Sequence, residues 1–128
     1  MKYICDTNFI LRYLLGDNPA MLAKTKEVFE QAKAGQITLL IEQTVFTEVV
    51  FVLSSFYKVP KDKIIQVLAE LLAYKGVSGE KKVLSLALDY HRKHKLHIVD
   101  CLLLAKAKLT QNPILTFDKK LDTLIKAS

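Results

Sequence analysis

Cysteine is scarce in this chain: the only two are Cys5 and Cys101, far apart and each flanked by apolar residues. They lack the spacing of a zinc site. They read as buried thiols in a reducing compartment, and the cytoplasm is the expected location. No stretch approaches the ~18 uncharged apolar residues of a membrane span. Asp6 interrupts the only early apolar run, so no signal peptide is expected. Internal repeats, low-complexity segments and flexible linkers are absent too. Acid is the scarcer charge, 13 Asp and Glu against 19 Lys and Arg, for a net +6. A basic surplus favours an anionic partner such as nucleic acid, although lysine-rich surfaces often serve solubility alone.

What is present suits one folded domain over residues 1–128, long enough to bury a core. Charged residues make up 25%, which argues against disorder. The chain is 51% hydrophobic with a mean hydropathy of +0.20. That surplus points to a covered partner surface, and a homodimer is expected.

Tyr3-Ile4-Cys5 reads as a short buried strand. Helical spacing follows at Ile10, Leu11, Leu14 and Leu15. Asp6 therefore stands where a strand hands over to a helix, the edge at which open α/β sheets bind ligands. The same position also suits a helix N-cap. Gly16 is a good end for this helix, and Asn18-Pro19 starts a second that Gly35 stops. Residues 37–41 form a second apolar strand. Residues 43–57 are ambiguous. Val45, Val49, Val50 and Val52 favour a strand, but the length favours a helix buried on most sides, and the helix is the reading adopted.

Pro60 opens another helix with Ile64, Leu68, Leu71 and Leu72 inward. A short strand is expected near residues 75–78 and a helix over 80–93. The basic run His91-Arg92-Lys93-His94-Lys95 reads as a solvated helix end. His91, His94 and His97 make a weak metal pattern with nothing acidic or thiolate nearby. Asp100 opens a helix over 101–109. Residues 114–117 read as a strand that ends in Asp118, and a last helix covers 119–126. Alternating strands and helices imply a mostly parallel sheet of four or five strands with helices on both faces. Asp6 and Asp118 would then end adjacent strands on one edge.

Two further acids stand out. Glu48 interrupts an apolar helix, with no basic residue between Lys33 and Lys58 to pair it. Its burial would be costly without a base or a metal. Asp100 lies between Val99 and Cys101-Leu102-Leu103-Leu104. Asp100 and Asp118 could be N-caps like Asp6, and Glu48 could reach solvent or a distant lysine. The sharper reading is four carboxylates on one edge, their repulsion relieved by Mg²⁺ or Mn²⁺, which prefer carboxylate and water oxygens.

Over nearly its whole length the chain resembles the PIN-domain ribonucleases, most closely the VapC-type toxins of bacterial and archaeal toxin–antitoxin pairs. The resemblance rests on Asp6-Thr7-Asn8, Thr47-Glu48, Val99-Asp100-Cys101-Leu102-Leu103 and Thr116-Phe117-Asp118, in that order and spacing. It implies that Asp6, Glu48, Asp100 and Asp118 are the catalytic, metal-holding acids. It implies an RNA substrate, a Mg²⁺ or Mn²⁺ cofactor and a small antitoxin occupying the acidic groove. Asn8 and Thr116 match polar positions beside such sites. The chain ends soon after the Asp118 helix, so a further edge strand of such domains is expected to be missing.

Such a site suits phosphodiester hydrolysis, with carboxylates holding one or two ions that activate water and stabilise charge at phosphorus. Asn8 would bind substrate or metal-bound water. The Thr7 and Thr116 hydroxyls would orient carboxylates. Arg12, Lys119 and Lys120 could touch phosphates. A haloacid-dehalogenase-like phosphatase needs a second Asp where this chain has Asn8. A receiver domain needs a phosphoacceptor after a central strand, and Ser78 is no clear candidate. The non-enzyme alternative is a PIN-like module that only binds RNA or protein.

Overall fold

The computed structural model describes residues 1–127. They divide into two compact units, Met1–Glu80 and a second that begins at Lys81.

The first unit carries β1 (Lys2–Ile4), α1 (Thr7–Leu15), α2 (Pro19–Lys33), β2 (Thr38–Leu40), α3 (Gln43–Ser55), α4 (Lys61–Leu72) and β3 (Val77–Ser78). The strands form a parallel sheet in the order β1-β2-β3, so β1 is an edge. Local chemistry sets the element ends. Gly16 takes φ 61° after α1, a left-handed C-cap that glycine adopts without strain. The Asn18 side chain accepts from the Met21 backbone N–H at 3.1 Å, with Pro19 at the first helical position. In α3, Phe46, Val49, Val50 and Leu53 are buried, at a spacing that makes one helical face. The long valine-rich stretch is thus a helix, as its length implied.

The second unit carries α5 (Lys81–Lys93), α6 (Ile98–Thr110) and α7 (Lys119–Ala127). Helices α5 and α6, neighbours in sequence, pack extensively on each other, and α6 touches α7 more sparsely. Leu84, Ala87 and Leu88 of α5 and Cys101, Leu102, Leu104 and Ala105 of α6 are buried.

Three expectations fail here. The first strand is not buried: as a sheet edge, β1 leaves Tyr3 and Ile4 exposed at 46% and 74%, and only the adjoining Cys5 is covered. The described residues hold three strands, not four or five. Residues 114–117 are not a strand, and Leu115 and Phe117 stand fully exposed at 97% and 106%. Apolar composition supplies strand propensity, but a strand exists only where a neighbour completes its ladder. Asp118 therefore follows a non-helical segment, and it does not share with Asp6 a place at the ends of adjacent strands.

Candidate active site

Each of the four acids has a distinct local setting. Asp6 follows β1 and caps α1: its Oδ1 accepts from the Phe9 backbone N–H at 2.8 Å. Asp118 caps α7, with Oδ1 accepting from the backbone N–H groups of Lys120 and Leu121 at 2.9 and 3.0 Å. In both, the N-cap role and a free second oxygen coexist. Asp100 does not open its helix. His97 is the N-cap, and Asp100 lies half-buried in the first turn.

Glu48 overturns the reasoning that singled it out. It is exposed, on the side of α3 that also carries Thr44 and Phe51, the latter 65% exposed. The apolar run does not surround it, so burial cost demands no partner. What remains is a carboxylate with no hydrogen bond or ion pair to any described residue. Asp100 is equally unengaged.

The neighbouring polar groups also differ from expectation. Thr116 does not orient the Asp118 carboxylate. Its hydroxyl accepts from the Asp118 backbone N–H at 3.0 Å, so it fixes the start of α7. Thr7 is half-buried at the first position of α1, and Asn8 beside it is exposed. Arg12 has other work. Its Nη1 donates to both Asp17 oxygens at 2.8 and 2.9 Å, and its Nη2 donates to the Tyr57 hydroxyl at 2.8 Å. With 15% of its side chain exposed, Arg12 ties the end of α1 to the segment after α3 and is not a free phosphate contact. Lys119 and Lys120 are exposed, and the Lys120 ammonium donates to the Lys95 carbonyl at 2.8 Å.

Sequence reading missed three features. Gln43 and Ser78 follow or end strands at the carboxyl edge of the sheet, and Gln43 Nε2 and Ser78 Oγ are buried without a partner. An apolar cleft of about 470 Å³ runs beside β1, lined by Tyr3, Ile4, Cys5, Phe9 and Leu39, with Asp6 at its wall. Burial pushes the Cys5 thiol up to about 11, and the adjacent Asp6 charge adds to the shift. Cys5 is therefore a protonated, inert thiol beside the site. Among the described residues the histidines belong to no group of three metal donors; His91 Nδ1 lies 3.0 Å from the Leu96 carbonyl oxygen and 3.8 Å from Cys101 Sγ, joining the two ends of the α5–α6 turn.

The donor chemistry fits a hard divalent cation, because each of the four acids keeps at least one carboxylate oxygen unengaged. Asp6 and Glu48 belong to the first unit, Asp100 and Asp118 to the second. Among the described residues, neither unit gathers three His, Cys, Asp or Glu side chains that could hold a metal.

The PIN domain family matches residues 3–126, and the chain belongs to that family. PIN domains are usually nucleases, and those nucleases typically use divalent metals. No curated protein and no solved structure matches the chain. No helix among the described residues is long and apolar enough to cross a membrane.

Proposed function

We propose that this PIN domain is a metal-dependent endoribonuclease, with Asp6, Glu48, Asp100 and Asp118 holding Mg²⁺ or Mn²⁺. The observation that carries the reading is the presence, within one family match, of four acids that each retain a free carboxylate oxygen. When bound, the cation supplies an activated water and stabilises charge on the phosphoryl group. The chain's own part is positional. The N-cap bonds of Asp6 and Asp118 hold one oxygen of each carboxylate and leave the other available. Thr116 holds the first turn of α7, and so the Asp118 backbone, in place. Asn8, exposed and two residues after Asp6, presents an amide to substrate.

The finer reading is the toxin of a toxin–antitoxin pair, acting as a cytoplasmic homodimer whose small antitoxin covers the acidic groove. Exposed apolar side chains support a covered surface, among them Phe51 at 65% and Phe56 at 69%. A monomer in sedimentation analysis, from a gene with no small neighbouring reading frame, would count against both halves.

A rival reading is a PIN module that binds RNA without cutting it. RNA cleavage assays with Mn²⁺ and with EDTA separate the two. Wild type should cut only with metal. Glu48→Gln keeps the shape, removes the charge and should lower cleavage on the order of 100-fold, as loss of a metal-site group does. Asp122→Asn is the control, because Asp122 only pairs with Lys126 at 3.0 Å on the surface. Full activity in EDTA or in Glu48→Gln would sink the metal mechanism. A folded wild type that binds RNA and never cuts it would put the binding module ahead.

A further inference from the structure

The chain's net charge is not spread along it. Residues 1–80 carry nine Lys or Arg and nine Asp or Glu, and residues 81–128 carry ten against four. The first unit is neutral, and the second carries the whole +6.

Within the second unit the cations are gathered by a specific contact. Lys93 ends α5, and Lys95 lies in the turn before α6. The Lys120 ammonium donates to the Lys95 carbonyl at 2.8 Å, which seats the first turn of α7 on that turn. His91 Nδ1 lies 3.0 Å from the next carbonyl oxygen, that of Leu96. Two successive carbonyls of the turn are thus engaged, and the turn is held in one shape. Lys93, Lys95, Lys119 and Lys120 are all exposed, and none forms an ion pair among the described residues. Arg92 beside them is paired, to Asp89 at 3.3 Å. The Lys120 ammonium is bonded only to a neutral carbonyl and the other three have no acidic partner among the described residues, so the positive charge at this turn is uncompensated, and a polyanion would compensate it.

We propose that this lysine cluster, Lys93 and Lys95 on the α5–α6 turn with Lys119 and Lys120 on α7, grips the phosphodiester backbone of RNA. The second unit is then the electrostatic handle on substrate, and its contacts are to phosphates, so they carry no base preference. The inference rests on the RNA reading above for the identity of the polyanion, but not on cleavage.

Fluorescence anisotropy with labelled single-stranded RNA, in EDTA and across a salt series, tests it. The variant is Lys93→Gln, Lys95→Gln and Lys119→Gln together. The control is Lys24→Gln, Lys26→Gln and Lys63→Gln, three exposed lysines of the neutral unit. Losing three phosphate contacts should make the salt slope shallower by about 2, at ~0.7 per contact on a single strand. Affinity near ~0.1 M salt should fall roughly tenfold, alike for three unrelated RNA sequences, with the control near wild type. The Tm of the variant without RNA should hold or rise, because repulsion has been removed, so weaker binding is not lost folding. Unchanged slope and affinity in the variant overturn the proposal. So does an equal fall in the control, a loss confined to one RNA sequence, or a wild type that binds no RNA. A wild type that binds with this signature yet cuts nothing leaves the grip standing and removes the nuclease reading.

Discussion

At the scale of single residues, capping and the proposed metal role are compatible in one carboxylate. Asp6 and Asp118 each use one oxygen to satisfy helix N–H groups that would otherwise lack partners. The other oxygen stays available. A cap is therefore no argument against the proposed ligand role, since only one oxygen of each carboxylate is engaged. Cys5, between β1 and Asp6, gives a residue-scale test that does not need catalysis. Its thiol ionises near 9.0 when solvated and only near 11 when folded, because burial first, and Asp6 second, disfavour the thiolate. The unfolded chain loses that proton at lower pH, so stability should fall as pH rises from 9.0 to about 11. Tyr13 adds to the same slope, its hydroxyl also shifted up by burial and by its 2.7 Å hydrogen bond to Tyr74. Urea midpoints near pH ~8 and ~10 should drop more in wild type than in Cys5→Ala, which keeps only the Tyr13 part. Equal drops in both proteins would show that Cys5 does not titrate in this way. Native Cys5 should also react slowly with thiol reagents near neutral pH, for the same reason.

At the scale of elements, periodicity read the helices well and misjudged one face. Residues 43–57 look apolar nearly all round, which suggested a Glu48 buried in its surroundings. Helical geometry instead places Phe46, Val49, Val50 and Leu53 inward and leaves Glu48 outward with the exposed Phe51. Glu48 remains a site candidate through the resemblance of its Thr47-Glu48 motif, not through burial. Capping signals at Gly16, Asn18-Pro19 and Pro60 were legible because each acts within a few residues. The sheet was less legible, because pairing depends on partners distant in sequence. Residues 114–117 have strand-like composition, yet no ladder forms there. The engagement of Arg12 with Asp17 and Tyr57 was equally out of reach, since Tyr57 lies 45 residues away. The strand near residues 75–78 was expected and is β3, but the close approach at its entry was missed for a similar reason. Gly76 is buried where its N–H donates to the Ala32 carbonyl at 2.7 Å and its carbonyl accepts from Leu39 at 2.8 Å. A Cβ there would run into the Ile37 carbonyl oxygen and lie 2.7 Å from that of Ala32. Both obstacles are backbone, which cannot swing aside. Gly76→Ala should therefore destabilise the first unit by roughly 2–4 kcal/mol, within the range of overpacked buried sites. A urea midpoint near that of wild type would show that the β2–β3 entry has slack that these contacts deny.

At the scale of the whole molecule, charge is unevenly shared: residues 1–80 are neutral and residues 81–128 carry the net +6. The acids proposed for the metal come as Asp6 and Glu48 from a neutral unit, and as Asp100 and Asp118 from the basic one. Binding of an ion to the folded chain raises its stability by mass action, whether or not RNA is ever cut. At about 100 times the dissociation constant the gain is roughly 2.7 kcal/mol, or on the order of 10 °C in Tm for a chain of this size. A thermal-shift titration with Mn²⁺ should show this rise for wild type and for Asp122→Asn. An ion held by all four acids loses affinity whichever acid is neutralised. Asp6→Asn, Glu48→Gln, Asp100→Asn and Asp118→Asn should each move the titration to higher metal concentration. Without metal, two of them should differ. Asp6→Asn and Asp118→Asn keep an oxygen that can cap, at the cost of some charge–dipole stabilisation, so their Tm should fall slightly. Glu48→Gln removes a charge that makes no bond, so its Tm should hold. If the Mn²⁺ response vanished only in the Asp6 and Glu48 variants, or only in the Asp100 and Asp118 variants, the four-acid site would be wrong and a two-acid site in one unit would replace it. If wild type showed no rise at all at millimolar Mn²⁺, the metal reading would fail before any nuclease assay was run.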